Sequence, residues 1–272
     1  MALRINTNIA AINAHRQLLG TEAKLGLSME KLSSGFRINR ASDDAAGLAI
    51  ANRLRVNVRS LTVASRNVVE GKSLLQIAEG SANQIEGILE RMKELATQAA
   101  SANAGTDLDK LDAEYQSLID EIDRIVEDSE YQGTALLDGT FSGTFQVGSG
   151  DVAAADQLNI TIGELSSTGL NIAAALTTAA NAVTAIGEID DAIDDLSVVL
   201  GDIGAAMNRL DFTYSNLQVQ IENFSASESV IRDVDMASEM VNFTKNQILL
   251  QAGTAMLAQA NMSTQVVLSL FG

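Results

Sequence analysis

Residues 186–224 read IGEIDDAIDDLSVVLGDIGAAMNRLDFTYSNLQVQIENF. Apolar side chains fall at Ile186, Ile189, Ile193, Leu196, Leu200, Ile203, Met207, Leu210, Tyr214, Leu217, Ile221 and Phe224, in steps of three and four. That spacing keeps one face of an α-helix apolar and predicts a long rod packed on other long helices. At about 1.5 Å per residue the stretch spans roughly 58 Å.

Outward from this rod, the same rhythm recurs. Leu74, Ala78, Ala82, Ile85, Leu89, Met92, Ala96 and Ala99 form one stripe, and Leu108, Leu111, Tyr115, Leu118, Ile122 and Ile125 another. Between them, Ala102-Asn103-Ala104-Gly105-Thr106 reads as a loop. An earlier helix is predicted over about 5–34, closed by Ser33-Ser34-Gly35, with Gly35 suited to a left-handed cap. The next helix is predicted to start at Ser42, with Asp43 and Asp44 in its first turn, where the helix dipole favours negative charge. It is expected to run to about Ala102. After a polar stretch at 225–233, a last helix is expected from about Val234 to Leu270.

The period changes near residue 133. Seven glycines occur from Gly133 to Gly169, and Thr144–Val147 and Leu158–Ile162 alternate as hairpin strands do. The expected fold is mainly α: a long antiparallel heptad-repeat bundle with a small β-hairpin insert and two terminal helical arms. The expected segments are an N-terminal arm at 1–40, a first bundle half at 41–132, an insert at 133–170, a second bundle half at 171–233 and a C-terminal arm at 234–272.

Composition agrees with long rods. The 272 residues contain no Pro, Cys or Trp, but 39 Ala, the best helix former. A Pro in a helix interior costs about 3 kcal/mol. Without Cys there is no disulfide, thiol nucleophile or Cys-ligated metal. His15 is the only histidine, which leaves no His-rich metal site and no Ser–His–acid set. The acid clusters Asp107/Asp109, Asp190-Asp191 and Asp194-Asp195 lack the calcium-loop pattern and read as solvated helix faces. No Gly-rich phosphate loop is present, so no enzyme, cofactor or metal is expected. Asn159-Ile160-Thr161 matches a glycosylation sequon, a weak signal.

Charge divides the chain. Residues 1–72 carry eleven bases and five acids, whereas residues 105–272 carry five bases and 26 acids; the whole is −17. A net charge of that sign argues against nucleic acid or an anionic membrane as partner. The bases are spread over helical sequence, so the reading is that one end of the chain meets acidic parts of neighbouring copies. The start of the chain has no secretion-signal pattern, and no stretch is apolar enough to span a bilayer. Leu165–Gly187 and Asn246–Gly272 are uncharged but polar, as helices packed on other helices are.

Three stretches carry a family resemblance. SSGFRINRASDDAAGLAIANRLR (33–55), MALRINTNIAAINAHRQL (1–18) and QAGTAMLAQANMSTQVVLSL (251–270) closely resemble bacterial flagellin. The resemblance covers the N-terminal 140 residues and about 90 at the C-terminus. It implies a filament subunit for swimming motility, secreted and extracellular, with little or no outer variable domain. Terminal helices would line an inner tube and heptad helices would surround it. Many flagellins have a Pro in the stretch matching Met262–Gln265; this chain has none.

The implied partners are other copies of the chain, the flagellar export apparatus and its chaperone, cap and junction proteins, and a host Toll-like receptor. The implied subunit contacts are Ile5, Ile9, Ile12, Leu18, Leu25, Leu249, Leu250, Met256, Leu257, Leu268 and Leu270, with Arg37, Arg40, Arg53 and Arg59. The arms cannot bury their apolar faces within one chain and are expected to order on assembly. The Arg cluster, with Arg55 and Arg66, is expected to pair with acids including Asp43 and Asp44, some of them from adjacent subunits. LERMKELA (89–96) resembles the receptor-recognised segment, with Arg91, Leu95 and Glu114 at its contact positions and Glu90 where a Gln is common. A hook–filament junction protein, with similar termini, is the alternative.

Overall fold

A computed structural model describes residues 7–101 and 108–271, the side chains of 264–271 excepted. The helices are α1 (Ile9–Ser34), α2 (Ala45–Ala99), α3 (Leu108–Asp128), α4 (Ala153–Asp156), α5 (Ala179–Arg232) and α6 (Met236–Phe271). The strands are β1 (Glu130–Tyr131), β2 (Thr134–Ala135), β3 (Ser142–Gln146) and β4 (Gln157–Thr161). The 102–106 loop and Asp107 lie outside the described residues. Among the described residues, no helix is long and apolar enough to cross a membrane.

Helix ends follow local chemistry. The Asn8 side chain accepts the Ala11 N–H at 3.0 Å and starts α1. Gly35, at φ +74°, ends it and donates its N–H to the Lys31 carbonyl. At the start of α2 the cap is Asp44, not the expected Ser42: its carboxylate accepts the Gly47 N–H at 2.9 Å. Asp235 does the same for α6, accepting from Ala237 and Ser238. The polar stretch 225–233 does not break the chain, because α5 continues to Arg232. Its Ser and Glu side chains are exposed or half-exposed, where helix propensity costs little and no Pro intervenes.

The chain divides into two compact units, 1–56 with 223–272 and 57–222. The division falls inside α2 and α5, whereas sequence reading placed boundaries at residues 40 and 233. Both helices run on without a break, so composition marks the linkers and not the change in packing.

The second unit holds most of the core. Leu74, Ala78, Ala82, Ile85, Leu89, Met92, Ala96 and Ala99 of α2 are all buried. From α5 come Ile189, Leu196, Ile203, Leu210 and Leu217, with Ala185, Ala192, Val199 and Ala206 beside them. Ile186, Ile193, Leu200 and Met207 are only half-buried. Three cross-links set the register of α2 on α5. Gln218 donates to the Ser65 hydroxyl at 3.0 Å, Lys72 pairs with Asp211 at 2.7 Å, and Lys93 pairs with Asp190. A step of seven, then 21, forward along α2 is matched by the same step backward along α5, so the two run antiparallel in one register.

The insert is two small hairpins. β1 and β2 pair across Gln132 (φ +53°) and Gly133 (φ +79°), a turn with both central residues left-handed. β3 and β4 pair from Ser142 with Thr161 to Gln146 with Gln157. The second hairpin rests on α2, where the Phe145 ring lies over Gly71, 3.0 Å from where a Cβ would stand. Asn67 donates to the Gln146 carbonyl beside it.

Candidate functional site

In the first unit, α1 and α6 pack together as a pair. Half-buried positions on α1 include Ala11, Ala14, Leu18, Thr21 and Leu25; on α6 they include Phe243, Asn246, Leu250, Gly253, Leu257 and Ala260. Both runs step by three and four, so each helix offers one stripe to the other. Leu18 sits in the notch left by Gly253, 2.9 Å from its absent Cβ, and Asn8 donates to the Ala260 carbonyl. The stripe is thin. The buried apolar residues of this unit, among those described, are Ile38 and Ala51.

The opposite faces remain apolar and open. Ile9 is 55% exposed, Ile12 50%, Val241 67% and Met256 64%. Leu249 is also exposed and lines a shallow apolar hollow with Met240, Val241, Thr244, Lys245 and Ile248. An exposed apolar face of this extent marks an interaction surface. Of the sequence-derived contact residues, Leu18, Leu25, Leu250 and Leu257 therefore face between the arms, while Ile9, Ile12, Leu249 and Met256 face out. Ile5 lies outside the described residues, as do the side chains of Leu268 and Leu270.

Two linkers meet where the arms join the long helices. The N–H groups of Arg37 and Val234 bond to the carbonyls of Arg232 and Gly35, and the Arg37 guanidinium reaches the Ile231 carbonyl. Arg232, which no sequence signal singled out, lies 4.1 Å over the Phe36 ring, a cation–π contact. Arg40 binds Glu30 through two nitrogens at 2.9 and 3.0 Å.

The expected pairing of the Arg cluster with Asp43 and Asp44 does not occur within the chain. Asp43 accepts the backbone N–H groups of Arg40 and Asn39, which hold its carboxyl below the usual carboxylate range. Asp44 caps α2. Arg55 donates to Asn52, and Arg53, Arg59 and Arg66 are exposed without an ion-pair partner among the described residues.

On the second unit, Arg91 binds Glu114 through Nε and Nη2 and reaches Glu94 at 2.8 Å. Leu95, grouped with them from sequence, is 1% exposed and so lies in the core of this unit rather than on its surface. The acids of α3 and α5 do more than solvate. Asp112 accepts the Leu176 N–H, Asp123 accepts from both Ser167 groups, and Glu188 accepts from Ala173 and Ala174. They pin the segment that leads back from the insert. Among the described residues, no group of three or more His, Asp or Glu side chains is placed to hold a metal.

Comparisons with known proteins cover most of the chain. Residues 5–142 match the bacterial flagellin N-terminal helical region and residues 186–271 the C-terminal helical region. The chain is similar to a flagellin of Halalkalibacterium halodurans, 46% identical over 98% of both chains. It is 40% identical to a Bacillus subtilis flagellin, over 98% of this chain and 99% of that one. A Treponema phagedenis flagellar filament core protein is also 40% identical over the same shares. The crystal structure of Bacillus cereus flagellin covers 60% of this chain and 94% of its own, at TM-score 0.51 and 32% identity. A putative flagellar hook-associated protein from Vibrio parahaemolyticus covers 70% of this chain and 99% of its own, at TM-score 0.58 and 16% identity.

Proposed function

The chain belongs to the bacterial flagellin family, and from that premise we propose how its own surfaces build a filament. As a flagellin it is a structural subunit, exported and extracellular, that polymerises with its own kind; it is not an enzyme. A hook–filament junction role is not favoured. The three relatives compared above are named flagellins or a filament core protein, and the hook-associated likeness, at 16% identity, carries the fold alone.

In our reading the arms, 1–40 and 234–272, form the inner tube of the filament. Residues 41–132 and 171–233 form the surrounding bundle, and 133–170 the insert. The observation that carries this is the exposed apolar face of the arm pair, in a unit whose buried apolar residues, among those described, are Ile38 and Ala51. Ile9, Ile12, Leu249 and Met256 meet neighbouring copies, a role the family resemblance also implies for Ile5, Leu268 and Leu270. Leu18, Leu25, Leu250 and Leu257 hold the arms together. Arg37 and Arg40 brace the linkers, while Arg53 and Arg59 remain for acids of other copies. The arms order when those copies arrive.

Burying a Val or Met side chain contributes about 1.5–3 kcal/mol. Val241→Asp with Met256→Asp, at positions already exposed, is expected to leave the monomer's circular dichroism unchanged. The account expects the yield of polymer grown on filament seeds to fall at least tenfold (about 1.4 kcal/mol); a native yield would overturn it.

The remaining partners belong to the same reading. The export apparatus and a chaperone handle the chain before assembly, and cap and junction proteins bound the filament. A host Toll-like receptor meets the Arg91–Glu114 face, with Leu95 holding it in shape.

A further inference from the structure

Two exposed stretches of the second unit are mirror images in charge. On α2, Arg59, Val63 and Arg66 are exposed, and neither arginine has an ion-pair partner among the described residues. On α5, Asp195, Val198 and Asp202 are exposed, and neither aspartate has such a partner. The spacing is the same when one stretch is read backward. Four residues separate Arg59 from Val63 and three separate Val63 from Arg66; four separate Asp202 from Val198 and three separate Val198 from Asp195. Both valines stand clear of the core, Val63 52% exposed and Val198 63%.

These stretches cannot meet within one chain. The register set by Ser65–Gln218 and Lys72–Asp211 puts Arg66 level with Leu217. Asp195 lies about 22 residues from that level, roughly 33 Å along the helix. Arg59 and Asp202 are offset by the same amount and in the same direction. A single axial shift of one copy against another therefore brings both pairs level at once, with Val63 level with Val198 between them.

We propose that α2 of one copy docks on α5 of a second copy, displaced axially by about 33 Å. Arg59 then meets Asp202, Arg66 meets Asp195 and the neighbouring Asp194, and Val63 and Val198 share the layer between. The contact joins unlike surfaces, so the copy that gives its Arg face keeps its Asp face free, and its partner keeps its Arg face free. Such a head-to-tail contact propagates where a two-fold one would stop. The shift also brings Glu70 level with Asp191, a like-charge encounter outweighed by the two attractive pairs. The proposal rests on the filament reading above and names the surfaces it uses.

The test uses three full-length proteins: the native chain, Arg59→Glu with Arg66→Glu, and Asp195→Arg with Asp202→Arg. All four positions are exposed, and circular dichroism of each monomer checks that the helices remain. Seeded polymerisation is read as the monomer left unassembled after sedimentation. Each variant alone is expected to leave at least tenfold more monomer than the native chain. An equal mixture of the two variants is expected to recover native yield, because each supplies the face the other has reversed. Native yield from either variant alone, or a mixture no better than its components, would overturn the proposal. Failure of the native chain to grow on seeds would instead overturn the filament reading beneath it.

Discussion

Tyr115 places its hydroxyl in the core of the second unit, where the ring is fully buried and the oxygen has no hydrogen-bond partner among the described residues. Burial, with the carboxylates of Glu188 and Asp112 nearby, pushes its ionisation up to about 12 from the ordinary 10.0. The folded state thus favours the neutral phenol. The stability this contributes is complete below pH 10 and is lost as pH rises toward 12. An unpartnered buried hydroxyl itself costs about 1–3 kcal/mol. Tyr115→Phe is therefore expected to raise the urea midpoint at pH 7, by about 1 kcal/mol of stability. It is also expected to remove part of the loss above pH 10. A variant clearly less stable than the native chain at pH 7 would contradict this account. Tyr115 was legible as a core residue because it falls on the stripe of α3. Its acidic surroundings were not. Asp112, Asp123 and Glu188 act on backbone groups 14 to 64 residues away, and no local pattern marks so distant an acceptor.

At the scale of the element, α2 and α5 show what periodicity captures and what it misses. Every position named on the later part of α2 is buried. On α5 the stripe named from sequence is one residue off centre: Ile189, Leu196, Ile203 and Leu210 are buried, but their companions are Ala185, Ala192 and Ala206. Small residues let the helices approach closely, and on α5 they are masked by the larger Ile186, Ile193 and Met207 that each stand one position beyond an Ala. Leu196→Ala, at a fully buried site, is expected to cost about 2–5 kcal/mol. Leu200→Ala, at a half-buried one, should cost less than half as much by urea unfolding of the monomer. Equal losses would mean that the face turned toward the core is the other one. The Arg232–Phe36 contact escaped sequence reading for a related reason, since it joins residues far apart in the chain and neither stands out alone.

For the whole molecule, the decisive fact is the contrast between its two compact units. The second buries a continuous core, whereas the first turns apolar faces outward from a pair of helices. The opposed charges of the two ends of the chain fit a molecule completed by its own copies. That logic was visible in the sequence, in the arms that had nothing to pack on and in a chain with no Pro to interrupt its rods. The division inside α2 and α5 was not visible, because nothing in composition changes where packing does. If neighbouring copies complete the first unit, its backbone is protected only after assembly. Amide hydrogen exchange along residues 9–34 and 236–263, compared between monomer and filament, tests this directly. The account predicts rapid exchange in the monomer and at least a hundredfold slowing in the filament, with 74–99 protected in both. Arms as well protected in the monomer as in the filament would contradict it.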